Sequence, residues 1–262
     1  GISACRLRCF EFIVLDGNPL DDIAILFDDT RGDVPDLAAR EADIVHTAQA
    51  NTCASRVLMC PTYYSDDRML DVVFGERPEG YLGELGRRLD PRVGVYWTGE
   101  EICAREHSVA HLTRVAEALG RRPTLWDNYP VNDGPRMSRF LHLRGFTGRP
   151  SVIGPHLAAH AINPALQPHL SLIPAATLAA SYRDGANYAY MRAFREAACA
   201  CAGDALASML ESDLHALQDR GIDHLGDDRQ RLRQRYAAVV HPMAVEVVRW
   251  LDPEKAQAEE AA

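Results

Sequence analysis

Apolar residues along this chain fall into two alternating textures: short unbroken runs, and longer stretches in which they recur every three or four positions. The run from Ile23 to Thr30, IAILFDDT, has five apolar residues followed at once by Asp28 and Asp29. A continuous apolar run bounded by polar turn residues predicts a strand buried on both faces, as in a parallel sheet. Residues 9 to 16, CFEFIVLD, predict an earlier strand closed by the turn-like GNP. Further runs follow at 56 to 64, at 93 to 99, from Pro123 towards Asp133, and from Val152 to Asn163, where Ile162-Asn163-Pro164 marks one more strand end.

Helical spacing fills the intervals. Asp33 to Asn51 predicts a helix with Asp33 as its cap and Pro35 near its start. Glu79 to Leu89 and Ala104 to Leu119 predict two more, the latter stopped by Gly120 at a position that favours glycine. From Pro168 no further strand is predicted, and helices are expected at 171 to 182, 186 to 201, 204 to 220 and 228 to 251, with Gly203 and Gly221 as breaks. Alternating strands and helices at this spacing indicate βα units on a parallel sheet. The count is five or six strands, two or three short of an eight-stranded barrel. The expected organisation is a partial barrel over residues 1 to 183, a helical region over 184 to 251 and a frayed tail over 252 to 262.

Composition narrows the class. With 262 residues, 47% hydrophobic and 25% charged, the chain can bury a sizeable core. No run reaches the length of a transmembrane helix, so no membrane is expected as partner. The reading expects a cytoplasmic protein, with a secreted form left open because the sequence starts at Gly1 without an initiator Met. A net charge of −9 with scattered arginines argues against nucleic acid as partner. The single lysine is Lys255. Seven cysteines without a CxxC pair indicate neither a disulfide framework nor a structural zinc site, and Cys199 and Cys201 read as core filler. His107 and His111 lie at i and i+4 but lack an HExxH arrangement, and read as solvated helix histidines rather than half of a metal site. No metal and no cofactor is expected.

The chemistry gathers at the ends of the runs. Asp28 and Asp29 close the first; Thr62, Tyr63 and Tyr64, then Trp97 and Thr98, then Trp126, Asp127, Asn128, Asn132 and Asp133, and finally Asn163 close the others. In α/β barrels the active site is built at the C-terminal ends of the strands. Taken alone, an Asp-Asp pair is as readily a loop solvator or a helix cap, Trp97 and Trp126 as readily core aromatics, and Asn163 before Pro164 a turn residue. Their recurrence at successive strand ends is the stronger signal. Carboxylates, amides and aromatics without a basic cluster suit a sugar, whose hydroxyls hydrogen-bond and whose ring face stacks on Trp or Tyr. Phosphate would require arginines or a glycine-rich loop, and a dinucleotide a GxGxxG motif, which is absent.

LFDD at 26 to 29, CPTYY at 60 to 64, WTGEE at 97 to 101, LWDNYPVND at 125 to 133 and INP at 162 to 164 resemble, in order and spacing, the barrel motifs of family 84 glycoside hydrolases. That family comprises the O-GlcNAcases and related bacterial β-N-acetylglucosaminidases, some described as hyaluronidases. The resemblance covers roughly residues 20 to 180. It implies a retaining reaction in which the substrate's own 2-acetamido oxygen attacks the anomeric carbon to form an oxazoline, an exception to the two-carboxylate scheme. It further implies that Asp28, ionised, accepts the acetamide N–H. Asp29, with its pKa raised by burial and by Asp28, would act as acid and then base. Tyr64 would contact the acetamido group and reacting centre, Trp126 would wall the N-acetyl pocket, and Asn128 would lie against the acetamido side. Asp133 and Asn163 would bind ring hydroxyls. Trp97 and Asp127 receive no role.

The departure is at the front. The family's glycine-containing first strand and its pocket lysine have no counterpart before Lys255. The expectation is therefore a shortened form, a fragment, or a barrel completed by a second copy or another chain. Two functional readings follow: an exo-acting hydrolase of β-GlcNAc on glycoproteins or glycans, or an impaired GlcNAc- or glycoprotein-binding regulator on a degenerate glycosidase scaffold. A transferase is disfavoured by the absence of any nucleotide or CoA signature.

Overall fold

The computed structural model describes residues 21–252. Its centre is a parallel sheet of five strands in sequential order: β1 (Asp22–Leu26), β2 (Arg56–Cys60), β3 (Gly94–Trp97), β4 (Thr124–Asp127) and β5 (Ala159–Ile162). The predicted strand at 9 to 16 lies outside the described residues. Between the strands run α1 (Leu37–Ala50), α2 (Met69–Phe74), α3 (Tyr81–Arg88), α4 (Val109–Leu119) and α5 (Gly134–Met137). Then come α6 (Pro168–Asp184), α7 (Tyr190–Leu214), α8 (Asp228–Ala237) and α9 (Pro242–Leu251).

Register decides which face is buried. Ile25, Val57, Met59, Val93, Val95 and Trp97 point to one side, where they pack with Leu37, Ala42 and Val45 of α1, Tyr81 and Leu85 of α3, and Val115 and Leu119 of α4. Alternate residues, Ala24 beside Leu58 beside Gly94, point to the other side. The expectation that the first strand is buried on both faces fails here. Leu26 is 49% exposed, because β1 is the sheet edge among the described residues and no described element covers its inner face.

A second core belongs to the helices. Leu170 and Ile173 of α6 pack with Phe194, Leu206 and Leu210 of α7, Leu232 and Tyr236 of α8, and Val247 and Trp250 of α9. Leu141 and Leu143 join it, so this core reaches back into the segment that follows β4.

Several boundaries move for local reasons. The first helix starts at Leu37, and Asp33 is paired with Arg31 instead of capping it. The third begins only at Val109, where Ser108 accepts the backbone N–H of His111, leaving 104 to 107 as loop. Gly120 closes it with φ 66°, in the left-handed region. Gly203 breaks α7 with φ 75°. The long helix expected over 228 to 251 is two, because Pro242 starts a new one behind its His241 cap. Cys199 is exposed and so is not core filler, whereas the partly buried Cys201 packs against the helical core.

Candidate active site

The two acids sit where the apolar run ends. Phe27 to Thr30 forms a tight turn in which the N–H and the Oγ–H of Thr30 both meet the Phe27 carbonyl, at 3.0 and 2.7 Å. Asp28 and Asp29 are the two central residues of that turn. Both line the same cavity, at the C-terminal end of β1.

Successive strands bring the rest. A cavity of about 300 Å³ is lined by Asp28, Asp29, Tyr64, Trp126, Asn128, Asp133 and Asn163, the seven site residues expected from sequence, together with Cys60, Thr98, Ile102, Cys103 and Val131. Its polar floor is wired. The Trp126 indole N–H and the Asn163 amide each donate to Asn128 Oδ1 at 3.1 Å, and Asn128 Nδ2 donates to the Ile102 carbonyl at 2.8 Å. Tyr96 packs edge-on against Trp126, with ring centroids 5.0 Å apart. The indole is thereby fixed in orientation in the cavity wall.

Burial shifts the acids and phenols. Loss of water pushes the half-buried Asp28 carboxyl upward, and the Asp29 charge beside it adds to the effect. Asp28 is the member of the pair that the family resemblance expects to be ionised. Burial pushes the Tyr64 phenol up to about 12, so Tyr64 is a neutral donor at physiological pH. Burial likewise pushes the Cys60 thiol up, which makes it an inert wall rather than a nucleophile.

Trp97 lies elsewhere. It is buried on the helix side of the sheet and donates its indole N–H to His111 Nε2 at 2.9 Å. Asp127, between Trp126 and Asn128, points away from the cavity into a buried ion pair. Arg149 Nε donates to its Oδ2 at 2.7 Å, and His160 Nε2 lies 3.0 Å from the same oxygen. Burial alone would raise this carboxyl, but the bonds from Arg149 and His160, with His107 Nε2 3.6 Å from Oδ2, outweigh it and hold it far below the usual range. The histidine expectation is corrected accordingly. His107 and His111 are 5% and 6% exposed, the first in a loop packed under Gly99 and the second on the buried face of α4, so neither is a solvated helix histidine.

Beneath the cavity lies a carboxylate that periodicity does not single out. Glu41 of α1 is 2% exposed and meets the Thr62 N–H at 3.1 Å, the Thr62 Oγ at 2.7 Å and the Tyr81 hydroxyl. One sequence signal was available: Glu41 shares the buried stripe of α1 with Leu37, Ala38, Ala42 and Val45, where a charged residue is out of place.

Comparison with known proteins gives this arrangement its kin. Residues 18–217 match the family model described as β-N-acetylglucosaminidase. The protein O-GlcNAcases of Rattus norvegicus and Mus musculus are each 30% identical over 130 residues, which is 50% of this chain and 14% of theirs. A variant of the Thermobaculum terrenum O-GlcNAc hydrolase superposes with a TM-score of 0.67 at 24% identity, covering 90% of this chain and 58% of that one. At that identity the likeness bears on the fold, which is of the (β/α)8 barrel type with appended helices. The chain thus spans only part of the relatives it matches. With the family model covering well over half of its residues, it belongs to the β-N-acetylglucosaminidase family of glycoside hydrolases.

Proposed function

We propose that the chain carries the catalytic site of a retaining hydrolase that removes terminal β-linked N-acetylglucosamine through an oxazoline formed by the substrate's own acetamido group. The observation that carries this reading is the position of the two acids. Two carboxyls that share a glycosidic bond as acid and nucleophile flank it, about 5 Å apart in retaining enzymes. Asp28 and Asp29 are neighbours in one turn and approach from one side. A nucleophile must then come from elsewhere, and the acetamido oxygen is suitably placed on the sugar.

In this scheme Asp28 accepts the acetamide N–H. Its upward shift reverses when that N–H and the developing positive charge favour the ionised form. Asp29, the more exposed of the two, protonates the leaving oxygen and then deprotonates water. Tyr64 donates from its neutral phenol, Trp126 walls the acetyl group, and Asn128, Asp133 and Asn163 hold the acetamido side and the hydroxyls. The fitting substrate is a β-GlcNAc on a glycoprotein or glycan. Of the described residues, no helix is long and apolar enough to cross a membrane.

The test is turnover of a fluorogenic β-N-acetylglucosaminide, with Asp29→Asn as control, followed by substrates whose acetyl group carries one, two or three fluorines. Rates that fall steeply with each fluorine support acetamide attack. Rates insensitive to fluorine refute it. A GlcNAc-binding protein without turnover is the second reading. It predicts inhibitor binding with no product.

A further inference from the structure

Glu41 lies in an unbroken line of oxygens that ends on the catalytic turn. Tyr81 Oη meets Glu41 Oε2; Glu41 Oε1 lies 2.7 Å from Thr62 Oγ; Thr62 Oγ lies 2.7 Å from Thr30 Oγ; and Thr30 Oγ lies 2.7 Å from the Phe27 carbonyl. Three of these contacts are at ordinary O–H···O distance and the Tyr81–Glu41 contact is closer, so each of the four requires a proton between its oxygens. One phenol and two hydroxyls supply three protons. The carbonyl supplies none.

If Glu41 were ionised, one contact would bring lone pairs face to face. A neutral Glu41 completes the count. Its carboxyl donates to Thr62, Thr62 to Thr30, and Thr30 to the Phe27 carbonyl, while Tyr81 donates to the other carboxyl oxygen. The surroundings agree with this. The titratable groups that face Glu41 are Tyr81 from α3 and Cys60 and Tyr63 from β2 and the segment after it, none of them cationic. Burial accordingly pushes the Glu41 carboxyl upward. A carboxylic acid held neutral by an apolar site can act as a hydrogen-bond donor at pH 7.

We propose that Glu41 is a neutral carboxylic acid in the folded protein and a positioning residue. Through Thr62 and Thr30 it fixes the turn that presents Asp28 and Asp29, and through Thr62 it fixes the segment that carries Tyr64. It touches no substrate. Its kinetic consequence rests on the hydrolase reading, whereas its protonation state does not.

The experiment therefore has two readouts on the full chain. Infrared difference spectra of wild type against Glu41→Gln at pH 7 are expected to show the carbonyl stretch of a protonated carboxyl, lost in the variant. Carboxylate bands alone overturn the proposal. In turnover, Glu41→Gln keeps the donor to Thr62 Oγ and the acceptor for Tyr81, loses only the oxygen that accepts the Thr62 N–H at 3.1 Å, and is expected to lower kcat by less than about tenfold. Glu41→Ala lowers it about 100-fold with little change in KM, as misplaced catalytic groups do. Thr62→Val cuts the line at its middle with shape retained, lowers kcat about tenfold and serves if Glu41→Ala does not fold. Glu41→Gln as inactive as Glu41→Ala, or Thr62→Val fully active, would refute the positioning role. If wild type has no turnover, the hydrolase reading fails by itself. The infrared band still decides the charge, and Thr62→Val is read as loss of affinity for N-acetylglucosamine.

Discussion

Replacing Arg149 by Met tests whether the far side of β4 holds the site in place. Arg149 makes two bonds to Asp127 and three more to the carbonyls of Ala104, Arg105 and Thr147, so one guanidinium clamps the loops after β3 and β4. The paired side chains are 6% and 1% exposed. Removing one partner of a buried pair costs about 3–5 kcal/mol, because the other charge is left without water or counterion. Asp127→Asn is the milder change. It leaves the guanidinium with its three carbonyls and an amide oxygen, and costs about 1–3 kcal/mol. Urea unfolding followed by tryptophan fluorescence measures both, and Arg149→Lys, which restores a cation without the bidentate fork, should fall between them. The pH dependence carries a sign. The Asp127 carboxyl is depressed in the fold, so its contribution is present above the unfolded value of about 3.9 and is lost as pH falls below that. The gap between wild type and Arg149→Met is therefore widest at neutral pH and narrows on acidification. Arg149→Met within about 1 kcal/mol of wild type, a cost below any buried-pair value, or Asp127→Asn costing more than Arg149→Met, would refute the reasoning.

Three further outcomes are expected. Gly86→Ala puts a methyl 2.6 Å from the Leu119 carbonyl oxygen, so α3 must move off the end of α4; a loss of about 1–3 kcal/mol in thermal or urea unfolding is expected. Arg121 donates to the carbonyls of Gly86, Leu89, Asp90 and Val93, and Arg121→Ala strands them at a cost of about 2–3 kcal/mol in the same assay, with Arg121→Lys recovering only part. Because the Tyr64 phenol is pushed up to about 12, it stays neutral through assays from pH 6 to 10: Tyr64→Phe should lower kcat by the same factor across that range. A tyrosine step near the unperturbed value of about 10, present in wild type and absent in the variant, would contradict this.

The elements that sequence made legible are those whose signal is local. Among the described residues, each apolar run that ends in polar residues became a strand with chemistry at its end, and the seven residues picked at those ends line one cavity. The turn at Phe27–Thr30 was legible only as an end, since its closure depends on a threonine that also meets Thr62 across 32 residues. Short elements were not legible. α2 and α5, at six and four residues, are about a helical turn each and show too little of a period to be found. The break at His241-Pro242 could have been read, because the residue before proline resists helical geometry.

What sequence concealed shares one property: the partners are distant along the chain and the groups are polar. Glu41 finds Thr62 and Tyr81 at separations of 21 and 40, Trp97 finds His111 at 14, and Asp127 finds Arg149 and His160 at 22 and 33. A polar side chain reads as solvated unless its partner is known, since burial without one is costly. Yet two of these sets join segments that follow different strands, Glu41 of α1 with Thr62 after β2, and Arg149, which holds Asp127 at the end of β4, with the Ala104 and Arg105 carbonyls after β3; it is between such segments that a site on strand ends must be held. The cavity residues of this chain come from the ends of five successive strands and the segments that follow them, which must be held against one another. The buried polar groups are the ties across those segments, Glu41 between the first two and Asp127 with Arg149 between the third and fourth. Substitutions beneath the cavity should therefore impair the site nearly as much as substitutions within it, while moving kcat more than KM.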